Sequence, residues 1–169
     1  MMTDDNWIKN TQTDTRRDEM SARLISGQIT LAQYTGLSKT ELYTIAQQAY
    51  QLLDSGRLEE ARDIYSGLVA ADPFDSVFHC HLGATQMRLG QTDEAFDEFE
   101  LALQYNIANV DAFVGRGEVF LQRGQLKEAI ADMSKAIELD AEGKRRSTMR
   151  AKAALFTLKN ELEKQQAQN

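Results

Sequence analysis

The sequence predicts an all-α solenoid of stacked helical pairs, and three observations carry that prediction. Gly56 is followed five residues on by Ala61, Gly90 by Ala95 and Gly124 by Ala129, and the glycines stand 34 residues apart both times. Good helix formers, namely Ala, Leu, Glu, Gln, Lys and Arg, are abundant. A single proline and an aromatic content of 8% argue against a β-sandwich.

The elements follow in chain order. Residues 1–17 are rich in Asp, Thr, Asn and Gln without apolar periodicity and are read as a disordered tail, in which Trp7 and Ile8 stand out. Residues 18–37 form an N-terminal helical arm. In it "RRDEMSARLIS" places Met20, Leu24 and Ile25 on one face before Gly27, and "TLAQYTG" adds about one turn before Gly36. Ser38 opens the first strong helix, because Ser38 and Glu41 have the S-x-x-E spacing of a capping box. That helix runs to about Ser55. A second spans Leu58 to Ala71 and stops before Asp72-Pro73, since the residue before proline resists the α conformation. Further helices are expected near 76–89, 92–105, 110–123 and 126–139. After the basic joint "GKRRS", residues 144–165 form a closing helix capped at Ser147 or Thr148, with Ala151, Leu155, Leu158 and Leu162 as its apolar stripe. Residues 166–169 are a frayed tail.

Residues 38–143 thus hold three helix-turn-helix units with the 34-residue period of tetratricopeptide repeats. Each recurring residue has a physical task. Gly56, Gly90 and Gly124 end the first helix of each pair, where a left-handed residue is needed. Ala49, Gly83 and Gly117 on the first helix, with Ala61, Ala95 and Ala129 on the second, let two helices cross closely. Tyr65, Phe99 and Met133 fill the large position, while Leu68, Ala102 and Ala136 face the next unit. The closing helix covers the end that a solenoid otherwise exposes.

Composition narrows the function. A formal charge of −7 disfavours nucleic acid, which requires a basic surface. No apolar run approaches a membrane span, the amino terminus lacks a signal-type stretch, and the single cysteine, Cys80, forms no internal disulfide and suits a reducing cytoplasm. "HCH", His79–His81, resembles a metal cluster only when read linearly, because residues two apart on a helix diverge. There is no phosphate loop and no nucleophile–base arrangement, so neither an enzyme nor a cofactor is expected.

What the stack offers is a surface. In tetratricopeptide arrays the first helix of each pair lines a concave groove. In this register it carries Tyr43, Ala46, Tyr50 and Leu53 in the first unit, then Val77, Cys80, Ala84 and Met87 in the second. Val114, Glu118 and Leu121 follow in the third, with Phe74 at the joint between units one and two. This face reads as apolar and aromatic, with tyrosine hydroxyls available to backbone groups, which makes it a candidate peptide-binding groove.

Two segments narrow the partner. "ITLAQYTGLSKTELYTIAQQAY", Ile29–Tyr50, resembles the segment leading into the first repeat of the class II chaperones of bacterial type III secretion, the SycD/LcrH type. "DSVFHCHLGATQMRLGQTDEA", Asp75–Ala95, is similar to the second repeat of that family. The third repeat resembles a generic one. The resemblance covers roughly Leu24 to Leu162 and implies a cytoplasmic chaperone of the hydrophobic translocator proteins, not an enzyme, whose groove takes an extended client segment with spaced Pro and Leu anchors. It also implies homodimer contact through the arm, at Met20, Leu24 and Ile25. The alternative is a general tetratricopeptide scaffold assembling another complex. An adaptor that grips a terminal carboxylate with basic first-helix residues is excluded, since Ala46, Tyr50, Cys80 and Ala84 occupy those places.

Overall fold

The computed structural model of the protein describes residues 16–167, the side chains of Leu162 and of residues 165–167 excepted. The tail residues Trp7 and Ile8 lie outside the described residues. Among those residues the fold is all-α. Helix α1 covers residues 16–25, within the stretch "RRDEMSARLIS". Helix α2 spans Leu31–Thr35, and the three pairs are α3 (Lys39–Asp54) with α4 (Leu58–Ala71), α5 (Ser76–Arg88) with α6 (Thr92–Tyr105), and α7 (Val110–Gln122) with α8 (Leu126–Leu139). Helix α9 spans Arg146–Ala167 and packs against α7 and α8.

Local chemistry sets these boundaries. At Ser38 the capping box is formed both ways: the Ser38 amide donates to Glu41 Oε2 at 2.8 Å, and the Glu41 amide donates to Ser38 Oγ at 3.3 Å. Thr30 and Gln33 build a second box at the start of α2, with the Thr30 amide 2.9 Å from Gln33 Oε1. Gly56, Gly90 and Gly124 all take positive φ, between 71° and 84°, which reverses the chain between the helices of each pair. The start of α9 differs from expectation. The helix begins at Arg146, and neither Ser147 nor Thr148 is its cap. Asp140 orders the approach instead: its carboxylate accepts from the Lys144 and Arg145 amides at 3.3 and 3.0 Å and from Thr148 Oγ1 at 2.6 Å.

Packing follows the small-and-large scheme of the repeat. Ala49, Ala61, Ala95 and Ala129 are fully buried, as are Tyr65 and Met133, with Phe99 nearly so. A Cβ at Gly83 would stand 3.1 Å from the Ala95 carbonyl oxygen, and one at Gly117 3.1 Å from Met133 Cγ, so a side chain at either crossing requires its neighbours to give by a few tenths of an ångström. The buried side chains form two clusters. One joins α2–α5 around Ala32, Leu42, Tyr65, Leu68, Phe78 and Leu82. The other joins α5–α9 around Phe99, Leu103, Phe113, Val119, Met133 and Ala151. A buried relay ties units two and three together: Asn109 Nδ2 donates to Ser76 Oγ at 2.7 Å, and that hydroxyl donates to the Ala102 carbonyl at 2.8 Å.

Candidate functional site

The first helices α3, α5 and α7 stand side by side, and the start of α9 closes their far end around a hollow of about 590 Å³. Its apolar part comes from Tyr50 and Leu53 of α3, from Cys80, Ala84 and Met87 of α5, and from Phe99, which reaches in beneath α7. Phe99 can do so because position 115 is glycine. A Cβ there would lie 2.3 Å from Phe99 Cζ, so any side chain would collide with the ring. His81 sits within this apolar part, stacked on Tyr65 at 5.2 Å and edge-on to Tyr50 at 5.7 Å. Burial pushes its pKa below the ordinary 6.5, with Asp111 pulling the other way, so the ring is neutral near pH 7. Burial also raises the Cys80 thiol pKa, which keeps the sulfur an inert part of the floor.

The remaining wall is charged. Asp54, Asp111, Glu118, Arg88, Arg145, Arg146 and Arg150 all border the hollow. Arg145 Nη1 donates to Asp111 Oδ2 at 2.7 Å, and Arg150 Nε donates to Glu118 Oε1 at 2.9 Å, so two ion pairs fasten α9 to α7. Ser147 Oγ adds a 2.5 Å bond to Asp111 Oδ1. Arg88 Nη1 donates to the Leu53 carbonyl.

Of the residues assigned to the groove from sequence, Tyr50, Leu53, Cys80, Ala84, Met87 and Glu118 border the hollow. The others do not. Val114 is fully buried in the core between units, because α7 turns Asp111, Gly115 and Glu118 inward instead. Ala46 is buried in the α2–α5 cluster, where its carbonyl accepts from Tyr65 Oη at 3.2 Å. Leu121 packs half-buried on the α5–α9 cluster, and Val77 is half-buried beside the α5 start. The Tyr43 hydroxyl commits its proton to the protein, since it donates to Asp75 at 3.0 Å. Burial and that carboxylate push its pKa up to about 12. Phe74 borders a separate hollow against the arm, with Ile29, Leu37 and Leu42. The face read from sequence as apolar and aromatic is so on its floor, and on the α7–α9 side Glu118 is joined by an ionic wall.

The two histidines diverge as the helical spacing requires. His79 points away from the hollow, its Nδ1 2.6 Å from Glu98 Oε2 and its Nε2 2.9 Å from the Pro73 carbonyl oxygen. In the arm, Ile25 is 87% exposed, while Met20 and Leu24 are half-buried.

A tetratricopeptide-repeat family model matches residues 46–108 and again 82–144, more than half of the chain. The chain belongs to the tetratricopeptide-repeat family. This tetratricopeptide protein is also homologous to the low calcium response locus protein H of Yersinia pestis, with 28% identity over 131 residues that cover 77% of this chain and 78% of the relative. Its fold matches that of the Yersinia enterocolitica type III secretion translocator chaperone SycD, with a TM-score of 0.68 and 27% identity over 76% of this chain and 98% of SycD. A second SycD structure, in complex with a peptide of the translocator YopD, matches with a TM-score of 0.64 and 27% identity over 74% of this chain and 97% of that one.

Proposed function

We infer that this protein is a cytoplasmic chaperone, not an enzyme, for translocator proteins of a type III secretion system. It takes an extended client segment into the hollow between α3, α5, α7 and α9 and so keeps the client soluble and secretion-competent. The open hollow carries this reading. It has room for one or two anchor side chains over an apolar floor, in a chain related to a chaperone that has been solved with a translocator peptide. The physics suits the task. A protein destined to enter a membrane aggregates in water, and a few deeply buried anchors give most of the affinity while leaving the complex releasable. A client held before export requires the holder to act in the cytoplasm. The arm supports a homodimer as part of the same reading, since Ile25 presents an uncovered apolar side chain at its tip.

Co-expression with a candidate translocator tests the function. Soluble co-purification is expected for the parent and lost for Tyr50→Ala combined with Met87→Glu, with the helical circular dichroism of the variant unchanged. Undiminished co-purification would move the client away from this hollow.

A further inference from the structure

Resting on that reading, we propose that the bound segment carries an aspartate or glutamate beside its apolar anchor, and that Arg146 receives this carboxylate at the α9 end of the hollow. The charges that border the hollow do not balance: four arginines face the three carboxylates Asp54, Asp111 and Glu118. Both carboxylates on the α7 side are already committed, Asp111 to Arg145 and Ser147, and Glu118 to Arg150. Arg88 donates to the Leu53 carbonyl at the α3 side, where Asp54 also borders the hollow. Arg146 makes no ion pair and no side-chain hydrogen bond among the described residues, and it is exposed where α9 meets the hollow. Counted by end, Asp54 and Arg88 are one charge of each sign at the α3 side, and the excess positive charge falls at the α9 end, where three arginines meet two carboxylates.

That placement runs against the sign of the molecule as a whole, which carries −7. An acidic segment meets a molecule of its own sign, and of the arginines bordering the hollow only Arg146, at the α9 end, makes neither an ion pair nor a hydrogen bond among the described residues. The charge thus fixes which way the segment lies and selects among segments with equal apolar anchors, the usual role of charge at an interface. A guanidinium suits the task because it offers several donors in one plane to a carboxylate.

The test uses the full chain and labelled ten-residue peptides that carry one Leu between two Pro. In the parent peptide all other positions are Gln or Ser, and in its derivatives one Glu is moved along the sequence. Fluorescence anisotropy at low salt is expected to show one Glu position binding about fivefold tighter than the parent, an advantage that high salt erases. Arg146→Glu should abolish the advantage without weakening the neutral peptide, and a Lys at the same peptide position should then bind tighter. The exposed position 146 and an unchanged melting curve exclude misfolding as the cause. Equal binding of all Glu peptides, with the neutral peptide still lost in Met87→Glu, would overturn the proposal and leave the chaperone reading standing. Loss of all peptide binding would overturn both. If Arg146→Glu altered only self-association of the chain, the arginine would serve a second copy and the proposal would fall.

Discussion

At Gly115 a missing methyl group decides the shape of the floor. The Phe99 ring occupies the space that a Cβ would take, so Gly115→Ala must displace an aromatic that is 1% exposed. Overpacking of this kind costs about 1–3 kcal/mol, which a shift in the urea midpoint at constant slope would measure. The two histidines give a second residue-scale prediction, with opposite signs. For His79, burial lowers the pKa, but the Glu98 carboxylate and the Pro73 carbonyl outweigh it, and the net value lies above the ordinary 6.5. Its stabilisation is fully present below 6.5 and fades as pH rises through the raised folded value. His81 is depressed, so its effect is the reverse: the folded state is favoured above 6.5 and loses ground as pH falls towards the lowered folded value. Relative to the parent, His79→Gln should therefore lose most stability in acid, and His81→Gln should lose least there. Denaturation midpoints between about pH 8 and pH 5 would show the crossing trends.

Among the elements, α9 is both lid and wall. Thr148 is fully buried and donates to Asp140, the residue that also receives the Lys144 and Arg145 amides. Thr148→Val keeps the volume and removes the hydroxyl donor from Asp140, which should lower the chemical-denaturation midpoint. The same variant should weaken client binding, because the arginines that border the hollow depend on where α9 starts. The helices were legible in the sequence because their signals are local: Ser38 and Glu41 three apart, glycines ending the first helices, Pro73 after Asp72. The small-and-large pairing was legible because it repeats. The α7–α9 side of the hollow was not. Whether Val114 or Gly115 faces inward depends on a rotation of about 100° per residue, set by how α7 packs on α6 and α8. Val114 has the apolar side chain that a sequence reading favours, and for that reason the core takes it. Arg146 and Arg150 lie outside the repeat, so the 34-residue period gave no sign of where α9 would carry them. The spacing of Thr30 and Gln33 is a local signal of the same kind, as are the capping residues Asp75 and Asn109.

Across the whole molecule, stability is distributed unevenly. The α5–α9 cluster buries more apolar side chains than the α2–α5 cluster, and it is further held by Arg116, which donates to both Asp132 oxygens at 2.7 and 2.8 Å and also reaches Glu100. Native-state hydrogen exchange should accordingly find α2–α4 opening more readily than α6–α8. A bound segment touching α3, α5 and α7 together should slow exchange in α3 most and raise the melting temperature with peptide concentration. Helix α5 stands between the two halves and belongs to both: Phe78 and Leu82 pack towards one cluster, Cys80 towards the other. A chain assembled from interchangeable modules would be expected to tolerate being cut between them. Here the second module's first helix is the shared partition, so a fragment ending at Asp75 would lose the surface its own core closes against, and one beginning at Ser76 would present Phe78 and Leu82 to water. Despite its threefold periodicity, this array is indivisible.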